Sequence, residues 1–251
     1  MLHSLTGTTP HFVLETCAYV IGARVYWRAA SSQSSIPRDD RLVLLAGAIL
    51  GALFGSKLLH IAEHLTALLH SDDVALWLAG KSLVGGLLGG TLGVEIAKRA
   101  TGWNRSTGDA WVPALAVAII VGRLGCQLSG FWDLTYGTPT GLPWAWDYGD
   151  GIGRHPAALY EMILVAVLWA ILSRWTTPPS GSRFAGFLFG YCAIRFALEF
   201  LKPPFGAAGP DTLDVSQYAG LTAIQWACLA GMLYFLASLR WRAMRTQLHE
   251  G

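Results

Sequence analysis

Seven stretches of this chain stay apolar for about twenty residues, the length a helix needs to cross a bilayer's hydrocarbon core. They lie near 11–28, 43–69, 76–97, 111–131, 157–175, 184–202 and 217–239. The second is long enough to tilt or to project beyond the bilayer. Of the 251 residues 53% are hydrophobic and only 14% charged, against about 25% charged in a soluble domain. The expected fold is an all-α integral membrane protein of seven transmembrane helices. One domain covers 1–251, with no internal repeat and no low-complexity tract. The first ten residues lack a basic stretch ahead of an apolar core, so the first apolar segment is expected to stay as a membrane helix.

Charge in the connections sets the expected orientation. Arg24, Arg28, Arg38, Arg41, Lys98, Arg99, Arg105, Arg174, Arg183, Arg240, Arg242 and Arg245 all fall on one side. The other side holds Arg154 and Lys202 with Asp72, Asp73, Asp133, Asp147, Asp150, Asp211 and Asp214. The positive-inside rule puts the basic side in the cytoplasm, with the N-terminus outside and the C-terminus cytoplasmic. The longest periplasmic loop, about 132–156, carries Trp132, Tyr136, Trp144, Trp146 and Tyr148. Such aromatics settle at the membrane–water interface, either as a plain anchor or as part of a functional loop. No basic run suggests nucleic acid binding.

Ionisable residues inside apolar helices are costly, so each is a functional candidate. They are Glu15, Lys57, Lys81, Arg123, Glu161, Arg195 and Glu199, with His60, Glu63 and His64 on the second segment. Counted from the periplasmic ends, Arg123 and Arg195 lie about 10–12 Å deep, and Glu15, Lys81, Glu161 and Glu199 about 5–8 Å. Only Lys57 approaches the midplane. A channel or proton relay would string polar groups across the full thickness. This pattern instead predicts a pocket open to the outer leaflet or the periplasm. Two arginines at similar depth suit an anionic group such as a phosphate. Tyr191, Arg195 and Glu199 share one helix face, which fits either such a clamp or a plain i,i+4 ion pair.

Overlapping G-x-x-x-G pairs run through Gly85, Gly86, Gly89, Gly90 and Gly93. Spacing of this kind predicts close helix packing, or close approach of a lipid to bare backbone. His60-Ile61-Ala62-Glu63-His64 matches the H-x-x-E-H zinc pattern, but no third ligand stands out, and no metal is expected. Cys17, Cys126, Cys192 and Cys228 all lie in apolar stretches without C-x-x-C spacing, and are expected as buried free thiols. No cofactor motif appears.

Three segments, following the glycine-rich helix, then carry a resemblance. Gly122-Arg123-Leu124-Gly125 is followed by Gly130 and Tyr136-Gly137; Arg154-His155-Pro156 leads to Leu159-Tyr160-Glu161; Tyr191-Cys192-Ala193-Ile194-Arg195-Phe196 closes with Glu199-Phe200. In order and spacing these resemble the prolipoprotein diacylglyceryl transferases, over about residues 80–204. That family has seven helices, an outside N-terminus and an outward-facing site. Its members move diacylglycerol from phosphatidylglycerol to the lipobox cysteine of a prolipoprotein signal peptide, and glycerol phosphate leaves.

The resemblance implies that Arg123 and Arg195 hold the phosphate leaving group and that Tyr191 and Glu199 orient Arg195. It implies that His155, Tyr160 and Glu161 wall the pocket below the long loop. Lys81, Gly85, Gly86 and Gly137 complete the expected substrate contacts.

The chain departs from the family pattern at four places. Val84 stands where a His usually precedes the Gly-Gly pair. Cys126 replaces the Asn of G-R-x-G-N, with Phe131-Trp132-Asp133 near the displaced acidic position. Glu15 stands where a Tyr-Gly pair is typical. Without the usual His, His155 or Glu161 is the expected general base. Three functions fit: this transferase, a same-scaffold enzyme with another acceptor or lipid, and a non-catalytic lipid-binding or transport protein.

Overall fold

The computed structural model describes residues 8–31, 36–130, 135–203 and 215–250. Phe131, Trp132, Asp133, Asp211 and Asp214 lie outside them. Seven long helices appear among the described residues. They are α1 (Thr8–Ser31), α2 (Arg38–Glu63), α5 (Leu83–Thr101), α6 (Trp111–Ser129), α7 (Ala157–Ser173), α8 (Ser182–Glu199) and α9 (Ala223–Glu250). Two short helices, α3 (Leu65–Leu69) and α4 (Val74–Ala79), fall between α2 and α5. The segments Asp39–Glu63, Trp111–Ser129 and Ala223–Arg245 are long and apolar enough to cross a membrane, and α7 is apolar but shorter. Large apolar side chains cover the exterior: Phe54 is 74% exposed, Leu58 71% and Leu233 70%. An apolar surface on this scale suits lipid rather than water.

Two small antiparallel hairpins complete the described elements. The first pairs β1 (Trp146–Asp147) with β2 (Gly153–Arg154) in the long loop. The second pairs β3 (Gln217–Tyr218) with β4 (Leu221–Thr222) just before α9. Ala219 and Gly220 both have positive φ at its tip, as a two-residue hairpin turn of the primed type requires. Thr222 and Gln225 then start α9 with a reciprocal capping box: the Gln225 N–H donates to Thr222 Oγ1 and the Thr222 N–H to Gln225 Oε1.

The core lies where α5 to α9 meet, around Val84, Val112, Ile119, Val165, Phe187, Leu188, Tyr191, Ile224 and Phe235. Helix α1 packs along α6. Helices α2 and α5 run against each other through a glycine seam. Gly47 faces Gly93, Gly51 faces Gly89 and Gly55 faces Gly85, and a methyl at any of them would strike the opposing backbone. The sequence pattern on α5 predicts such a seam; its matching row on α2 completes it.

The second and third apolar segments are more broken than their composition suggests. Helix α2 stops at Glu63 rather than running to 69, and the expected helix over 76–97 is split between α4 and α5. The split occurs at Gly80, where a side chain would run into the buried His60 ring. Lys57 Nζ donates to the Leu78 and Gly80 carbonyls, supplying the free carbonyls at the end of α4 with a cation. Lys57, the deepest expected charge, is therefore a cap for this break. Helix α5 restarts from Ser82, whose N–H donates to Ser56 Oγ (2.9 Å) and whose hydroxyl accepts from the Gly85 N–H.

Candidate active site

One carboxylate organises the centre of the bundle. Glu161, near the start of α7, accepts from the Tyr191 hydroxyl at Oε1 (2.7 Å) and from Arg195 Nη1 at Oε2 (3.2 Å). Arg123 Nε, from α6, lies 3.0 Å from the same Oε2. Its N–H is not aligned for a hydrogen bond, so this third contact is an ion contact. Arg195 Nη2 donates to Glu199 Oε2 (2.9 Å), and Lys202 Nζ stands 3.5 Å from that oxygen. Glu161 is 1% exposed, Arg195 4% and Glu199 7%. Charges so buried persist only when paired and hydrogen-bonded.

The i,i+4 spacing of Tyr191, Arg195 and Glu199 puts all three on one face of α8, as the sequence predicts. Glu199 orients Arg195 directly, whereas Tyr191 does so through Glu161. Glu161 is thus more than a pocket wall. It holds two guanidinium groups on a single oxygen, which like charges would not tolerate without it.

The loop is tied to the start of α7 and to the residues just after α8. Trp144 Nε1 donates to the Tyr160 hydroxyl (2.8 Å), which lies 3.2 Å from His155 Nδ1. The Gly137 N–H donates to the His155 carbonyl, the His155 N–H to that of Thr138, and the Thr138 N–H to that of Leu201. A side chain at Gly137 would press on His155 Cβ at 2.7 Å and on the Leu201 carbonyl at 3.0 Å. Glycine there lets the loop lie flat across the end of α8. Further out, Arg154 grips both oxygens of Asp150 at 2.7 Å and sits 4.9 Å above the Tyr136 ring. The hydrogen bonds from Arg154 hold the Asp150 carboxyl below its usual range. Asp147 Oδ1 accepts three backbone N–H groups, from Gly149, Asp150 and Gly151.

The remaining expected contact residues have partners on α1 and α2. Gly85 meets Gly55, and Gly86 faces Ala52 and Ser56 of α2. Lys81 pairs with Glu15 of α1, which also accepts from the Tyr19 hydroxyl (2.9 Å). Glu15 Oε2 is 3.4 Å from His11 Nε2, and His11 Nδ1 is 3.8 Å from Cys126 Sγ. Arg123 Nη1 donates to the same sulfur over 3.8 Å. A second polar cluster on α1 thus reaches the first through Cys126. His11 and Glu15 at i,i+4, and Arg123 and Cys126 at i,i+3, were the available signals for it. The His60 and His64 rings lie 4.9 Å apart. Among the described residues no group of three or more His, Cys, Asp or Glu could hold a metal ion.

Most of the chain matches known proteins. The family described as prolipoprotein diacylglyceryl transferase matches residues 13–241. The phosphatidylglycerol–prolipoprotein diacylglyceryl transferase of Methylobacillus flagellatus is 35% identical over 214 residues, covering 80% of this chain and 78% of that protein. The protein of the same description from Bordetella parapertussis is 32% identical over 236 residues, covering 87% and 86%. That from Bordetella avium is 32% identical over 213 residues, covering 78% and 76%. The match runs from the first long helix into the last, and this chain belongs to the prolipoprotein diacylglyceryl transferase family.

Proposed function

We propose that this chain transfers the diacylglyceryl group of phosphatidylglycerol to the lipobox cysteine thiol of a prolipoprotein, releasing glycerol phosphate. The observation that carries this reading is the convergence of Arg123 and Arg195 on Glu161 Oε2. Two preorganised guanidinium groups beside one buried carboxylate are suited to a phosphate that gains charge as its C–O bond breaks. Preorganisation matters because the charges need not reorient during the reaction. Glu199 and Tyr191 keep Arg195 and Glu161 in place, and Glu199 is itself steadied by Lys202.

The single domain, 1–251, lies in the bacterial inner membrane with seven spans, the N-terminus periplasmic and the C-terminus cytoplasmic. The periplasmic-side loop, with His155, Tyr160 and Gly137, covers the site and borders the path of the signal peptide. Lys81 stands at the α1 side of that path. Gly85 acts by letting α5 close on α2, which fixes the position of Lys81 and Ser82, whereas a side chain at Gly86 would meet α2 only at ordinary contact distance.

The test is turnover by purified protein with phosphatidylglycerol and a lipobox peptide, followed by mass spectrometry. Lipidated peptide and glycerol phosphate in equal amounts are expected. Bound phosphatidylglycerol with neither product would reject the lipobox acceptor. Val84 and Cys126 favour a second reading in that case, the same scaffold serving another nucleophile. Screening other thiols and hydroxyls with the same lipid separates the two.

A further inference from the structure

The reaction needs a base for the acceptor thiol, and the family's usual histidine position holds Val84. Glu161 is poorly placed for that task, because Tyr191, Arg195 and Arg123 engage both its oxygens. His155 Nδ1 faces the Tyr160 hydroxyl, whose oxygen already accepts the Trp144 indole N–H and whose proton is therefore available to His155. Glu161 is committed to the arginines and to Tyr191, and His155 to Tyr160.

His11 Nε2 faces the Glu15 carboxylate, and that contact favours the tautomer with the proton on Nε2. Nδ1 then points its lone pair at a sulfur, Cys126 Sγ, at 3.8 Å. Arg123 Nη1 is one more 3.8 Å step away. Gly125 makes this approach possible, since a side chain there would press on Leu14 Cβ at 3.0 Å and the His11 backbone at 3.4 Å. Glu15 is held in turn by Lys81 and Tyr19. Sulfur, imidazole and carboxylate stand here in the order of nucleophile, base and orienting carboxylate that activates thiols elsewhere.

Resting on the transferase reading above, we propose that His11 is the catalytic base for the acceptor thiol and that Glu15 is its positioning residue. An acceptor thiol approaching Arg123 from the α1 side exchanges the long Cys126 contact for a shorter one to Nδ1. Its S–H proton passes to Nδ1, and the thiolate forms the C–S bond at the glycerol carbon. The C–O bond to phosphate breaks, and its electron pair leaves on glycerol phosphate against Arg123 and Arg195. The proton then moves from His11 to the departing phosphate, so none is gained or lost.

The experiment compares the full-length wild type with His11→Gln and Glu15→Gln, each with phosphatidylglycerol and a lipobox peptide across a pH series. Melting and phosphatidylglycerol binding are measured alongside. Near neutral pH, His11→Gln is expected to lower turnover about 100-fold or more, the usual contribution of a positioned base, with lipid binding unchanged. The deficit should shrink as pH rises past about 8.5, where a free thiol ionises unaided. Glu15→Gln should show a smaller loss and an altered pH profile. Wild-type turnover in His11→Gln overturns the proposal, and so does a loss by the same factor at every pH. If His11→Gln does not fold, an unchanged pH profile in Glu15→Gln overturns it instead. A wild type that lipidates no peptide sinks the transferase reading, and this inference with it.

Discussion

The α2–α5 seam and the α6–α7–α8 centre meet the same difficulty by opposite means. Lipid offers helices little hydrophobic reason to associate, so they need close contact or polar pairing. At the seam, six glycines remove side chains until backbone meets backbone. At the centre, Glu161, Arg123, Arg195, Tyr191 and Glu199 bring buried charges together. The seam is uniform, and its glycines present no charged group. The centre is costly to assemble and can act on a charged substrate. Both are packing solutions, but only the second can stabilise a changing charge.

That contrast can be broken at the centre first. Arg195→Lys should lower turnover about 100- to 1,000-fold, the scale of losing one preorganised donor, while the protein still inserts. A lysine keeps the charge but cannot bond Glu161 and Glu199 together. Steady-state turnover with a folding control checks this, and near-normal activity would remove Arg195 from the phosphate clamp. Glu161→Gln should reduce stability by about 3–5 kcal/mol, because two buried guanidinium groups lose their shared anion. Denaturation in detergent measures it.

The seam should respond in the other currency. Gly51→Ala, directed at the Gly89 carbonyl, should cost about 1–3 kcal/mol of stability by overpacking. Turnover per folded molecule should stay normal. Loss of turnover without loss of stability would show that the seam takes part in the chemistry. Lys57→Met removes the cation that serves the Leu78 and Gly80 carbonyls. Its expected cost is about 1–3 kcal/mol, the scale for leaving such acceptors unmet.

The smallest effect belongs to the loop. The Asp150 carboxyl is held below its usual range by Arg154. Its contribution to loop order is therefore present above about pH 3.9, the ordinary aspartate value. It is lost as pH falls through the lower, folded value. Tryptophan emission from Trp144 and Trp146 should report loosening below about pH 4, and Asp150→Asn should remove that transition. An unchanged transition in the variant would assign it to another group.

Much of this was readable along the chain, and some was not. The seven long helices, the shared face of Tyr191, Arg195 and Glu199, and the glycine spacing on α5 follow from periodicity within one helix. Spacing alone leaves Glu161 as one carboxylate among several. Its two arginine partners come from α6 and α8, and the packing of those helices against α7 turns it into the hub. Lys57 and Arg123 look alike as charges in apolar segments. One caps the helix break at Gly80, beside the His60 ring, and the other reaches Glu161, because their helices pack against different neighbours. His11 shares α1 with Glu15 at i,i+4, but the sulfur it faces, Cys126, lies on α6 and is brought beside it only by packing.

By itself, then, the sequence determined that this chain must bury long apolar helices, which residues share a helix face, and the family pattern that limits its chemistry. The tertiary structure decided which carboxylate unites the arginines, which buried cation is a cap, and which histidine faces a thiol. The reason is physical. Hydrophobic and i,i+4 periodicity are set within a helix, whereas pairing between helices depends on their relative register. Here glycine contacts, helix caps and the loop hairpin fix that register.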